Sequence, residues 1–157
     1  MKRLSVFNFL VQAISTVFFI GRLPLIPGTF GSLAAVGLFY SLKGVSAPAY
    51  FLFILGVMIL GLVTSGRMEK LLHKKDPGCI VIDEVAGMLI ALSFMPHDFK
   101  IVLLAFIFFR ILDMLKPYPA VCLQNRHGAV GVMGDDIVAG IYTNLVLMLV
   151  LKLYLCG

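Results

Sequence analysis

Five acidic residues stand at the borders of long apolar runs, where a carboxylate needs a partner. They are Asp83, Glu84, Asp113, Asp135 and Asp136. A charged carboxylate costs roughly 2.5–3.5 kcal/mol at a bilayer centre, so acids at apolar borders require cations or water. Because no Cys or His accompanies the five, the oxygen-only set predicts a site for a hard divalent cation, Mg²⁺ or alternatively Mn²⁺.

Each acid also has a structural explanation. Asp83 and the Asp135-Asp136 pair could cap helix starts, where carboxylates accept hydrogen bonds from free amides. Asp113 lies near the end of its predicted helix, where the helix dipole disfavours an anion. The structural explanation for Asp113 is therefore an ion pair with Arg110 or Lys116, each three residues away. All of these structural explanations would have to be true at once to make a metal site unnecessary, whereas one bound cation accounts for all five acids.

The composition indicates a membrane protein. The chain is 61% hydrophobic and only 13% charged, with a mean hydropathy of +1.04. A soluble protein would have to bury nearly every element in one core, which the surface-to-volume ratio of a chain this small does not permit. The net charge of +5 suits anionic headgroups, and no basic stripe predicts binding to nucleic acid. The three cysteines have no metal or disulfide spacing.

The elements that must position the acids are helices. We predict an all-α fold, a compact multi-pass membrane helical bundle forming a single domain over residues 1–157. Residues 4–20 have a polar stripe on an otherwise apolar helix, which indicates an N-terminal interfacial or re-entrant helix rather than a signal peptide. About five further helices follow, several of them shorter than the ~20 residues of an upright span. The apolar segments are 31–42, 49–66, 80–95 extending toward 98, 99–115 and 137–155.

This topology predicts that the acids meet on one side of the membrane. The short turn 95–98 makes the segments on either side of it an antiparallel hairpin, so Asp83 and Asp113 return to one face. The last helix is predicted to begin on that face at Asp135-Asp136, after a flexible glycine-containing stretch. More basic residues flank this face than the other, so the positive-inside rule makes it cytoplasmic. They are Arg22, Arg67, Lys70, Lys74, Lys75, Lys116 and Arg126, against Lys43, Lys100 and Lys152.

Residues that could bind a phosphate are predicted on the same face. Thr29 and Ser32 lie at a helix start, where amides and hydroxyls can meet an anion, although the same pattern is typical of a turn and cap. Arg110 lies inside an apolar run, and its planar guanidinium suits a phosphate. Lys116 and Arg126 add positive charge.

The chain resembles the bacterial phosphatidylglycerophosphatase A family in four motifs, in the same order, across residues 24–144. The motifs are PGTFGSLAA (27–35), IDEVAGM (82–88), FRILDMLKPYP (109–119) and AVGVMGDDIVAG (129–140), the last with Ala129 in place of a family glycine. The resemblance implies an all-helical, Mg²⁺-dependent enzyme of the bacterial cytoplasmic membrane. Such an enzyme removes the terminal phosphate of phosphatidylglycerophosphate and leaves phosphatidylglycerol.

For that reaction we expect catalytic roles for Asp83, Asp113, Asp136 and Arg110. A subset of the five acids would hold Mg²⁺, and the phosphate ligands would be Thr29, Ser32, Arg110, Lys116 and Arg126. Attack by water and an aspartyl-phosphate intermediate are both compatible with these residues.

Two rival functions predict different placements of the acids. A cation carrier or channel would spread them through the bilayer depth. A noncatalytic lipid-binding protein would explain the basic loop 67–79 but not the clustered acids. No obligatory protein partner is expected.

Overall fold

The structure is helical throughout the residues that it describes. The computed structural model describes the backbone of residues 6–156 and the side chains of residues 6–153. Residues 4–5 of the first predicted segment lie outside this range. Within it there are seven α-helices and one 3-10 turn, Ile20–Arg22. The helices are α1 (Val6–Ser15), α2 (Pro27–Ser41), α3 (Ala47–Leu72), α4 (Ile82–Ala91), α5 (Phe99–Leu115), α6 (Ala120–Gln124) and α7 (Ala129–Cys156).

Local sequence explains several helix ends. Pro27 and Pro48 lie in the first turns of α2 and α3, where a missing amide hydrogen costs no helical hydrogen bond. Asp98 caps α5, since its Oδ1 accepts hydrogen bonds from the amides of Lys100 at 2.9 Å and Ile101 at 3.3 Å. The helix α5 therefore has the predicted bounds.

The helix α4 is shorter and more central than the sequence predicted. The apolar segment 80–95 was expected to have spanning character, but α4 has ten residues, about 15 Å of helix. Eight of the ten are buried, and α4 packs against α2, α3, α5 and α7. A continuous apolar run is typical of a buried core helix as well as of a membrane span, and here it forms the core.

The helix α7 begins earlier than predicted. Its first residue is Ala129, so Asp135 and Asp136 lie about two turns inside the helix and do not cap it. The stretch before them was expected to be flexible because of its glycines. Instead, Gly134 allows the helix to pack on Leu123, and a Cβ there would lie 3.1 Å from the Leu123 Cβ. Gly131 likewise permits a close approach, to the Arg126 carbonyl, whereas Gly128 precedes the helix with a positive φ of 84°.

Among the residues that the structure describes, two helices are long and apolar enough to cross a membrane. They are α3, with 26 residues, and the 25 residues Ala129–Leu153 of α7. At about 1.5 Å per residue, both cover a hydrocarbon core of roughly 30 Å. Only 17% and 28% of their most apolar stretches are buried in the protein. Most of this apolar surface therefore faces outward, as in a lipid-exposed helix. Both helices are candidate spans, and the multi-pass bundle remains a prediction.

The helix α1 begins and ends on the same side of the molecule. Its ten residues form about 15 Å of helix, too short to cross a membrane. The Arg67 guanidinium lies 5.7 Å from the ring centroid of Phe7, near the C-terminal end of α3. At the other end of α1, the carbonyl of Ser15 accepts a hydrogen bond from the Val81 amide at 3.0 Å. The interfacial or re-entrant position of this helix remains a prediction.

Candidate active site

The helices α4 and α7 cross at a pair of glycines. A Cβ on Gly140 would overlap the carbonyl of Gly87. A Cβ on Gly87 would lie 2.5 Å from the carbonyl oxygen of Asp136 and 2.8 Å from the Phe109 ring. The two backbones are therefore in direct contact. Asp83 lies four residues before Gly87, and Asp136 lies four residues before Gly140. Each acid is therefore about one helical turn from the crossing, toward the same end of the molecule.

Three carboxylates meet at that end of the crossing. Asp83, Glu84 and Asp136 each contribute an oxygen, and the three oxygens lie within 4.8 Å of one another. Asp83 and Asp136 are only 5% and 4% exposed. Glu84 Oε2 and Asp136 Oδ1 are buried and have no hydrogen-bond partner. Buried carboxylates without donors are costly, so this arrangement suits a cation.

The helix α5 adds Asp113 and Arg110 to the site. Arg110 Nη1 lies 2.9 Å from Asp113 Oδ2, so the ion pair considered as the alternative for Asp113 is present. Asp113 nevertheless also lies beside Asp136 and within electrostatic range of Glu84. Arg110 Nη1 is buried and makes no hydrogen bond of good geometry. The ion pair thus leaves Asp113 at the cluster and leaves Arg110 with a free donor.

Lys116 lies just beyond α5 and forms an ion pair with Asp135. Burial lowers the pKa of Lys116, whereas the hydrogen bond and negative charge of Asp135 raise it, and the net pKa lies above its ordinary value. The negative charges of Asp113 and Asp136 act in the same direction. Lys116 is therefore held as a cation at the edge of the cluster.

The first turn of α2 packs directly on these side chains. A Cβ on Gly28 would overlap Glu84 Oε1 and lie 3.3 Å from Arg110 Nη1. Thr29, the next residue, is half-buried. Glycine at position 28 permits this close approach, and a Cβ there would have to displace the Glu84 carboxylate.

Two predicted phosphate ligands, Ser32 and Arg126, make no hydrogen bond or ion pair with the acids of the cluster. Ser32 is fully buried, and its hydroxyl donates a hydrogen bond to the Gly28 carbonyl at 3.0 Å. Arg126 is exposed and forms no ion pair with any residue in the range 6–153. Of the predicted phosphate ligands, Arg110 and Lys116 have the best placement.

Two acids outside the five predicted from the sequence, Glu69 and Asp76, lie at the border of the site. Glu69 Oε1 accepts a hydrogen bond from the Asp76 amide at 2.9 Å, and Glu69 Oε2 accepts one from the Gly128 amide at 2.8 Å. Glu69 thereby joins α3 to the loop before α4 and to the start of α7. Partial burial raises the pKa of the Asp76 carboxyl, and the charge of Asp135 raises it further. Neither residue could be recognised from the sequence as part of the site, because each lies among other polar residues.

The sequence does contain a signal for the pairing of α4 with α7. The pattern Asp-x-Val-Ala-Gly occurs twice, at residues 83–87 and 136–140. Each copy places an acid one turn before a crossing glycine. The recurrence could have identified Asp83 and Asp136 as structural equivalents.

Comparison with known proteins gives a consistent family assignment. The family model described as phosphatidylglycerophosphatase A matches residues 13–151. The chain is 40% identical to phosphatidylglycerophosphatase A of Escherichia coli K12 over 77% of this chain and 72% of that protein. It is 32% identical to phosphatidylglycerophosphatase A of Haemophilus influenzae over 93% and 91%. It is also 33% identical to a putative phosphatidylinositol-3-phosphatase of Bacteroides thetaiotaomicron over 91% and 92%. No solved structure matches.

Proposed function

The chain belongs to the phosphatidylglycerophosphatase A family and is a phosphatase, and we propose that it hydrolyses phosphatidylglycerophosphate to phosphatidylglycerol and phosphate in phospholipid biosynthesis. The observation behind this proposal is the buried cluster of Asp83, Glu84 and Asp136 with Arg110 and Lys116 at its edge. Carboxylates together with fixed cations are the groups that phosphoryl transfer requires.

Arg110 and Lys116 are the residues that we assign to the substrate phosphate. The planar guanidinium of Arg110 can contact two phosphoryl oxygens, and the Lys116 ammonium acts as a point charge. Arg110 Nη1 retains a donor without a hydrogen bond of good geometry. Both cations would offset negative charge that develops as the phosphate leaves the lipid.

The excess of carboxylates supports a metal requirement. Five acids surround two cations here, so without further positive charge the site would repel a phosphate. The 4.8 Å spread of the three ligand oxygens is comparable to about twice the 2.1 Å Mg–O bond length. We propose that Asp83, Glu84 and Asp136 hold Mg²⁺, with Asp113 and Asp135 completing the acidic set. When bound, the ion would neutralise these acids and stabilise the phosphoryl charge.

The position of the cluster fits a substrate embedded in a membrane. The end of α3 and the start of α7, the two candidate spans, meet at Glu69 and Gly128 on the same side as the acids. We propose that this end lies at the headgroup level of the cytoplasmic leaflet, because the basic residues there outnumber those at the other end. The acids gather at one end of the molecule, whereas an ion carrier would spread them through the bilayer depth. This placement favours an enzyme.

The name of one relative provides a second candidate substrate. The Bacteroides relative is named a putative phosphatidylinositol-3-phosphatase, and both substrates present a phosphate monoester on a phospholipid headgroup. Phosphate release from detergent-solubilised protein should be measured with phosphatidylglycerophosphate and with phosphatidylinositol 3-phosphate, using Asp83→Asn as the inactive control. We expect a higher kcat/KM for phosphatidylglycerophosphate. A preference for the inositol lipid would replace the proposed substrate and retain the site.

A further inference from the structure

A basic cavity lies next to the acidic cluster and has no part in the function described so far. Its volume is about 550 Å³, within the range of roughly 300–1,000 Å³ usual for small-molecule sites. It lies between the last turn of α3 and the first residues of α7. Its lining includes Glu69, Lys70, Lys74, Lys75, His127 and Gly128.

The cavity retains two cations without partners. Both oxygens of Glu69 already accept backbone hydrogen bonds. The Lys75 ammonium donates a hydrogen bond to the Asn125 carbonyl at 3.2 Å. Lys70 and Lys74 make no ion pair or side-chain hydrogen bond with any residue in the range 6–153. The start of α7 adds the positive end of a helix dipole.

The cavity and the acidic cluster share a border at Asp76. The charges that act on the Asp76 carboxyl include Asp135 and Lys116 from the cluster and Lys75 from the cavity. The cavity and the cluster are therefore close enough for charges of both to act on the same carboxyl. The cavity lining has one carboxylate, Glu69, so it lacks the acids needed to bind a catalytic metal.

We propose that this cavity binds the phosphodiester of an anionic glycerophospholipid, with Lys70 and Lys74 as its charged ligands. The inference rests on the proposed position of this end at the headgroup level, where phosphodiesters are the main anions. The phosphodiester has two possible sources. One is the substrate itself, whose phosphodiester is separated from its phosphate monoester by a glycerol unit. The other is a neighbouring lipid such as phosphatidylglycerol.

Binding can be measured without turnover. Dihexanoyl phosphatidylglycerol is titrated calorimetrically into full-length protein in a nonionic detergent. The test variant is Lys70→Gln/Lys74→Gln, and the matched control is Lys100→Gln/Lys152→Gln, which removes the same charge from exposed positions of α5 and α7 away from the cavity. We expect the control to bind like the unmodified protein and the test variant to bind at least ~10-fold more weakly, with little binding of dihexanoyl phosphatidylcholine. Equal affinities of the two variants would overturn the proposal.

Kinetics then distinguish the two sources. KM for phosphatidylglycerophosphate is compared between test and control variants in nonionic micelles without other anionic lipid. A raised KM in the test variant assigns the cavity to the phosphodiester of the substrate, whereas an unchanged KM assigns it to a separate lipid. Protein that binds dihexanoyl phosphatidylglycerol but releases no phosphate from phosphatidylglycerophosphate would retain the cavity and refute only the proposed function.

Discussion

Asp83 and Asp136 occupy equivalent positions on two helices, each one turn before the glycine at which its helix touches the other. The contact between Gly87 and Gly140 is backbone to backbone. The separation of the main chains that carry the two acids is therefore set by direct backbone packing. Such a rigid pair is what a divalent cation site requires.

Removal of individual acid charges should abolish turnover. We expect Asp83→Asn, Asp113→Asn and Asp136→Asn each to lower kcat by at least ~100-fold, because each keeps the side-chain shape but removes a charge from the proposed metal site. Phosphate release by the purified variants measures the effect. Asp98→Asn is the control, since Asp98 caps α5 and asparagine caps helices about equally well. A rate near that of the unmodified protein for Asp113→Asn would restrict that residue to its ion pair with Arg110.

Metal removal should stop the reaction reversibly. Excess EDTA is expected to eliminate phosphate release and added Mg²⁺ to restore it, because the proposed ligands are all oxygen atoms. Thermal unfolding with and without Mg²⁺ provides a second measurement, since a cation that binds the folded state raises Tm. Full turnover in excess EDTA would refute the metal proposal.

A single methyl group on the first turn of α2 should damage the site. In Gly28→Ala, the new Cβ would overlap Glu84 Oε1 and crowd Arg110 Nη1. We expect kcat/KM to fall by about tenfold or more, which corresponds to roughly 1.4 kcal/mol. Gly37→Ala is the matched control, because it lies in the same helix and a Cβ there meets nothing within 4 Å. Equal activities of the two variants would show that α2 does not constrain the site.

The ion pair between Lys116 and Asp135 should contribute to stability as well as to phosphate binding. Lys116→Met leaves Asp135 buried without its cation, and we expect a loss of about 1–3 kcal/mol in the free energy of unfolding. Removing the second charge in Lys116→Met/Asp135→Asn should recover part of this loss while activity stays low. Denaturation in detergent and phosphate release measure the two effects separately. A double variant no more stable than Lys116→Met would contradict the pairing.

The sidedness of the site can be measured with a native thiol. Cys122 is exposed in α6, on the same side as the acids. In a variant that retains only this cysteine, a membrane-impermeant thiol reagent should label it in inverted vesicles and not in right-side-out vesicles. A single cysteine at Val45, beside His97 at the opposite end, should show the reverse pattern. Labelling of Cys122 from both faces would indicate an aqueous path and favour transport.

The sequence predicted the parts of the fold that depend on local signals. The helix α5 has its predicted bounds because Asp98 provides a cap and a single apolar run follows it. The meeting of the acids follows from the turn between α4 and α5, and the structure shows Asp113 beside Asp136. The catalytic and metal-binding roles of these residues remain predictions.

The features that the sequence did not predict depend on contacts between distant segments. Nothing local shows that Glu69 accepts hydrogen bonds from the amides of Asp76 and Gly128. The glycines before Asp135 are typical of a flexible loop, whereas Gly131 and Gly134 lie in α7 and pack on Arg126 and Leu123. Likewise, the apolar run of α4 has the composition of a lipid-facing helix until four other helices are seen to cover it.

The glycine contact between α4 and α7 also affects how the enzyme responds to its membrane. A helix such as α7 tilts when the bilayer becomes thinner or thicker. On the proposed membrane placement, we expect the contact of its backbone with α4 at Gly140 to act as the pivot of such a tilt. Displacement is smallest near a pivot, and the acids lie only one turn away. Activity should therefore vary little with acyl-chain length in the surrounding bilayer, even though the outer end of α7 moves.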